Sequence, residues 1–178
     1  DGETYQWSKH VNILRFLDLP RRVPQRFRLA MDPGSAAVAE LVQAAGWELT
    51  DPGPVSGNVD AYREFVQASR GEFTVAKDIY VRPRSGWFSD RSVCYLAAGK
   101  PVVTQDTGFG KFVPTGEGLL AYGTMEEAID ALARVDADYA AHSAAAGAAG
   151  STAAIETPAI TPSRNFFAWT ALVIAVPA

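Results

Sequence analysis

Cysteine is nearly missing from this chain: Cys94 is the only one in 178 residues. No internal disulfide can form, and a reducing, cytoplasmic setting fits. The position of Cys94 among Val93, Leu96 and Ala97 predicts a buried, inert thiol rather than a nucleophile. Histidine occurs only at His10 and His142, with no second ligand clustered near either, so no metal site is expected. The apolar run over residues 166–176 falls short of the about 20 residues a bilayer crossing needs, so no membrane span is read. Neither G-x-G-x-x-G nor a Walker loop occurs, which argues against a dinucleotide oxidoreductase or a P-loop enzyme. An excess of basic charge is missing too. The net charge of -4 gives no electrostatic reason to expect nucleic acid, and Arg21, Arg22, Arg26 and Arg28 read as a solvated patch. The opening Asp1-Gly2-Glu3 carries neither methionine nor a signal, and reads as the start of a fragment or a processed piece.

What is there suffices for one substantial core. Hydrophobic residues make up 48% and charged residues 20%, the balance of a soluble globular domain rather than a disordered chain. Residues 1–20 bring the aromatics Tyr5 and Trp7 and the apolar Val11, Leu14, Phe16 and Leu17, expected to cover one end of the core. Strands are predicted at residues 27–31, 47–50, 73–76 and 102–104, with a short run at 119–121. Helices are predicted from the caps Ser35 and Asn58, from the polar cluster at Ser89 to Ser92, and from the capping box of Thr124 with Glu127. Asp136 is read as opening one more helix through Ala149. Strands alternating with helices specify an α/β class: a Rossmann-like, doubly wound, mostly parallel sheet with helices on both faces. Residues 1–146 form this domain, and residues 147–178 are set apart as an atypical Ala/Thr/Pro-rich and apolar tail. That tail reads as a linker or disordered, and arises either from a frameshifted end or from a variable extension.

The chain is organised around residues 86–110, GWFSDRSVCYLAAGKPVVTQDTGFG, a loop–helix–strand–loop unit. A helix start offers unpaired amides and a partial positive charge, which suits phosphate. A loop leaving the carboxyl end of a strand is where open α/β sheets bind ligands. The connection over residues 77–89 exceeds the usual 2–6 residues of a βα loop, which marks it as functional. An arginine fork suits phosphate oxygens, so Arg91 could hold a diphosphate with Ser89 and Ser92, or simply pair with Asp90 or solvent. Lys77, Arg82 and Arg84 add positive charge on the same loop, where surface cations are also common.

SRGEFTVAK, GWFSDRS and YLAAGKPVVTQDTGF, followed by PTGEGLL and TMEEAIDAL, resemble the C-terminal sugar-nucleotide domain of a GT-B glycosyltransferase of the bacterial "family 1" type. The resemblance covers residues 5–142. It implies transfer of a sugar from a nucleotide diphosphate sugar to an acceptor that the sequence does not identify, without a metal or other cofactor. Lys77, Arg84, Ser89, Arg91 and Ser92 would hold the donor diphosphate, and Gln105, Asp106, Thr107 and Gly108 the donor sugar. Trp47 and Glu117 would serve the nucleoside, with the loop over residues 50–55 at the base. The Glu-x7-Glu pattern of many retaining members is absent: Trp87 and Cys94 stand where those glutamates would fall. The acceptor and any general base belong to an N-terminal domain that this sequence lacks, so no catalytic residue is assigned and activity of the chain alone is not expected. The competing expectations are a non-catalytic nucleotide or phosphosugar binding module and a protein-interaction module.

Overall fold

A computed structural model of the chain describes residue 2, residues 4–156 and residues 172–176. Six strands follow one another as β1 (Arg26–Ala30), β2 (Trp47–Thr50), β3 (Gly71–Thr74), β4 (Val102–Gln105), β5 (Leu119–Tyr122) and β6 (Leu172–Val176). The helices are α1 (His10–Arg15), α2 (Ala36–Ala44), α3 (Pro52–Ser56), α4 (Val59–Ala68), α5 (Asp78–Val81), α6 (Asp90–Ala97), α7 (Met125–Ala137) and α8 (Tyr139–Glu156).

The strands form one sheet in the order β2-β1-β6-β3-β4-β5. β1 with β2, and β3 with β4 and β5, pair in parallel; β6 runs antiparallel between the two groups. From β1 the chain steps outward to β2, then returns past β1 to β3 and proceeds the opposite way to β4 and β5. Right-handed crossovers in opposite directions put their helices on opposite faces. α2 and α7 accordingly pack with α1 over Phe27, Leu29, Phe73, Val103 and Leu120. Val55, Val66, Tyr95, Leu96 and Ala146, from α3, α4, α6 and α8, pack over Ala30, Val102 and Leu119 on the other face. The fold is therefore the expected Rossmann-like, doubly wound and mostly parallel α/β class, and its topological switch lies between β1 and β3.

Local signals place most boundaries. The side chains of Ser35, Asn58 and Thr124 each accept a hydrogen bond from a backbone amide of the helix they precede, and Glu127 completes the capping box. Residues 52–56 form a helix rather than only a loop. Asp51 accepts from the Gly53 amide at 2.8 Å, and Pro52 stands at the first helical position with its φ already set. Asp136 lies in the last turn of α7 instead of opening a helix, and its carboxylate accepts from Arg70 and Gln25. Asp138 takes the cap role for the last helix, its Oδ1 accepting from the Ala141 amide at 3.1 Å. That helix continues past Ala149 to Glu156. Residues 157–171 of the expected tail lie outside the described residues, whereas residues 172–176 join the sheet. Among the described residues, no helix is long and apolar enough to cross a membrane.

Candidate functional site

The ligand-side edge of a parallel sheet is formed by what leaves the carboxyl ends of its strands. β3 is followed by the buried Val75 and Ala76 and then by Lys77, which precedes α5. β4 is followed by Asp106, Thr107 and Gly108. These two connections are tied together. The Gly86 amide donates to the Thr107 carbonyl at 2.8 Å, and the Thr107 hydroxyl donates to the Trp87 carbonyl. Arg84 Nη2 lies 2.9 Å from Asp106 Oδ2, while Asp106 Oδ1 accepts from the Gly108 amide at 2.7 Å. Gly108 has φ +85°, and a Cβ there would meet the Arg84 carbonyl oxygen at 3.1 Å. Only glycine lets the loops approach so closely. Arg84 itself sits at φ +51°, a left-handed conformation unusual for arginine, with its side chain 59% exposed. Lys77 Nζ lies 4.8 Å from the ring centroid of Trp7, which is exposed, as is Tyr5; these aromatics do not cover the core end as expected.

The Ser89–Ser92 turn differs from its expected form. Arg91 turns inward: Nε donates to Glu72 Oε1 at 2.6 Å and Nη2 to Thr74 Oγ1 at 2.7 Å. A buried carboxylate on β3 outcompetes solvent for the guanidinium, so Arg91 is not presented as an open phosphate fork. Ser92 is fully buried and its hydroxyl has no partner among the described residues. Ser89 is buried and makes no side-chain cap to α6, leaving the first-turn amides to other partners. Asp90 is the exposed member of the turn. Arg84 pairs with Asp106 rather than with Asp90.

Behind this edge lies a polar cluster that the sequence reading missed. Lys9 Nζ donates to Thr74 Oγ1 at 3.2 Å, and Asn12 Nδ2 donates to the Ala76 carbonyl at 3.0 Å. Gln105 Oε1 accepts from the Ala76 amide at 3.1 Å, so Gln105 spans β4 and the end of β3; its Nε2 is unpartnered among the described residues. Burial, then the neighbouring Arg91, holds the Lys9 amine well below its ordinary value, with Glu72 acting in the opposite sense. Burial, then Glu72, raises the Tyr122 phenol. The one legible signal was Glu72, a charge inside an otherwise interior strand.

Three further expectations are corrected. Trp47 is 2% exposed in the core and donates through Nε1 to the Leu17 carbonyl at 2.7 Å, so its ring is closed to a base. Glu117 is exposed but precedes β5, beside Gly118, whose carbonyl accepts from Val102 at the start of β4. That is the opposite, amino-side edge of the sheet from the loops after β3 and β4. Cys94 is exposed, although desolvation, then Glu72 and Asp90, raises its thiol above the ordinary value. The basic patch is also paired: Arg26 and Arg28 meet Glu48, Arg21 meets Asp18, and Arg22 meets Glu126.

Residues 31–33 and 49–53 line an open cleft of about 510 Å³ at the carboxyl ends of β1 and β2. Together, the switch point and the converging loops place this chain in the broad class of Rossmann-like α/β domains. No family model, curated protein or solved structure matches it.

Proposed function

We propose that this chain is the donor-binding domain of a GT-B glycosyltransferase, taking a nucleotide diphosphate sugar at the carboxyl edge of the sheet. The observation that carries the reading is the joining of the loops after β3 and β4 through Arg84–Asp106 and the Gly86–Thr107 hydrogen bond. The cations for the diphosphate and the polar groups for the sugar thereby share one place. Arg84 and Lys77 neutralise the diphosphate and stabilise it as the leaving group, since fixed positive charge is most effective where negative charge develops. Asp106 faces the sugar subsite, where a carboxylate suits vicinal hydroxyls, while the buried Gln105 braces the loop from behind through the Ala76 amide and is not offered to the sugar as the resemblance implied. Arg91 and Glu72 hold α6 on β3 rather than touching the ligand.

Calorimetric titration of the chain with UDP, GDP and TDP sugars tests this. At least one binds, and Arg84→Ala weakens that binding by about 1.5–3 kcal/mol, the range for hydrogen bonds to charged groups, with the unfolding midpoint unchanged. Absence of binding to all three overturns the reading.

A further inference from the structure

Resting on that reading, we propose that Trp7 is a positioning residue for the donor diphosphate: its exposed indole holds the Lys77 ammonium at the carboxyl edge of the sheet. Lys77 has a fixed backbone, because its carbonyl accepts from the Tyr80 and Val81 amides at the start of α5. Its side chain is a flexible four-carbon stem, which a ligand must immobilise on binding unless the protein has already done so. What the ammonium meets among the described residues is the Trp7 ring. The centroid lies 4.8 Å away, inside the about 6 Å reach of a cation–π contact.

The ring is held in its turn. The Gln6 amide donates to Asp78 Oδ2 at 3.1 Å, and the Gln6 carbonyl accepts from the Ile79 amide at 3.3 Å. Arg82 Nη1 donates to the Thr4 carbonyl at 3.1 Å. Residues 4–6 are thereby strapped along α5, the helix that Lys77 precedes, so indole and ammonium ride on one support. Core packing does not account for the indole, since Trp7 is 66% exposed. The adjacent pair of ring and cation shows what sets Lys77 apart. Arg82 Cζ lies 4.7 Å from the Tyr5 ring centroid, but its guanidinium also lies 3.6 Å from Asp78 Oδ2. A carboxylate answers that charge within the protein, whereas a ring holds an ammonium without neutralising it. Of the two, Lys77 keeps its positive charge for a diphosphate.

Pyrophosphate, the part common to all nucleotide diphosphate sugars, is the probe, titrated calorimetrically into the full chain. Lys77→Met should weaken its binding about tenfold, the size of a hydrogen bond to a charged group. Trp7→Leu should weaken it about two- to fivefold, the range of an exposed cation–π contact, with the unfolding midpoint unchanged. Trp7→Phe keeps an aromatic face and should retain most of the affinity. In the Lys77→Met background, Trp7→Leu should have no further effect. If it weakens binding there as much as in the parent chain, Trp7 acts on the ligand directly and the positioning role falls. That role also falls if Trp7→Leu binds like the parent, or if nucleotide sugars bind while pyrophosphate does not. In each of these cases Arg84-dependent binding of a nucleotide sugar leaves the donor-binding reading standing. If neither pyrophosphate nor any UDP, GDP or TDP sugar binds, both fall.

Discussion

A carboxylate inside a sheet must find a cation or give up its charge, and Glu72 finds Arg91 from the first turn of the neighbouring helix. Neither side chain is more than 10% exposed, so solvent screens the pair little. Arg91→Ala should therefore cost roughly 3–5 kcal/mol by stranding the carboxylate. Urea unfolding reads this directly, and adding Glu72→Gln should restore part of the loss. Lys9 supplies a second residue-scale test. Its amine, 7% exposed and beside Arg91, holds its proton less firmly when folded than the ordinary 10.5. Between the depressed folded value and 10.5 the unfolded chain binds more protons, so stability rises with pH across that window. Unfolding free energies measured from pH 7 to 10 should climb for the parent chain and climb less for Lys9→Met. The direction of Arg91 was not legible in the sequence. A first-turn arginine can reach outward to phosphate or inward to a strand, and its partner here stands 19 residues earlier.

Element ends were largely legible because caps act over three or four residues. Thr124 with Glu127, Asn58 and Ser35 all sit where local chemistry put them. The last helix was less so. Its alanine-rich sequence carries little amphipathic signal, and what sustains it beyond Ala149 is packing against α6. Gly150 is buried there, and a Cβ on it would run into the backbone of Leu96 and Ala97. Gly150→Ala should thus destabilise the fold by about 1–3 kcal/mol through overpacking, despite alanine's better helix propensity. Denaturant midpoints decide the sign: a gain in stability would mean that this contact does not hold the two helices together.

At the scale of the whole molecule, β6 joins two parallel groups that would otherwise each present an open edge. Val173 stands opposite both Leu29 and Phe73. Val173→Pro removes a ladder donor from an interior strand, so amide exchange should accelerate in β1 and β3 while β4 and β5 keep their mutual protection. Uniform protection in the variant would show the two groups to be independent of β6. The sequence by itself determined the α/β class, the doubly wound order of helices and strands, and the loops of interest. Those follow from apolar periodicity, caps and glycine breaks that each residue run carries within itself. Only the tertiary structure decided that Arg91 faces Glu72, that Trp47 and Glu117 lie away from the loops after β3 and β4, and that residues 172–176 enter the sheet. Each of these depends on which distant side chain or strand edge competes for the same group, and no local pattern records that competition.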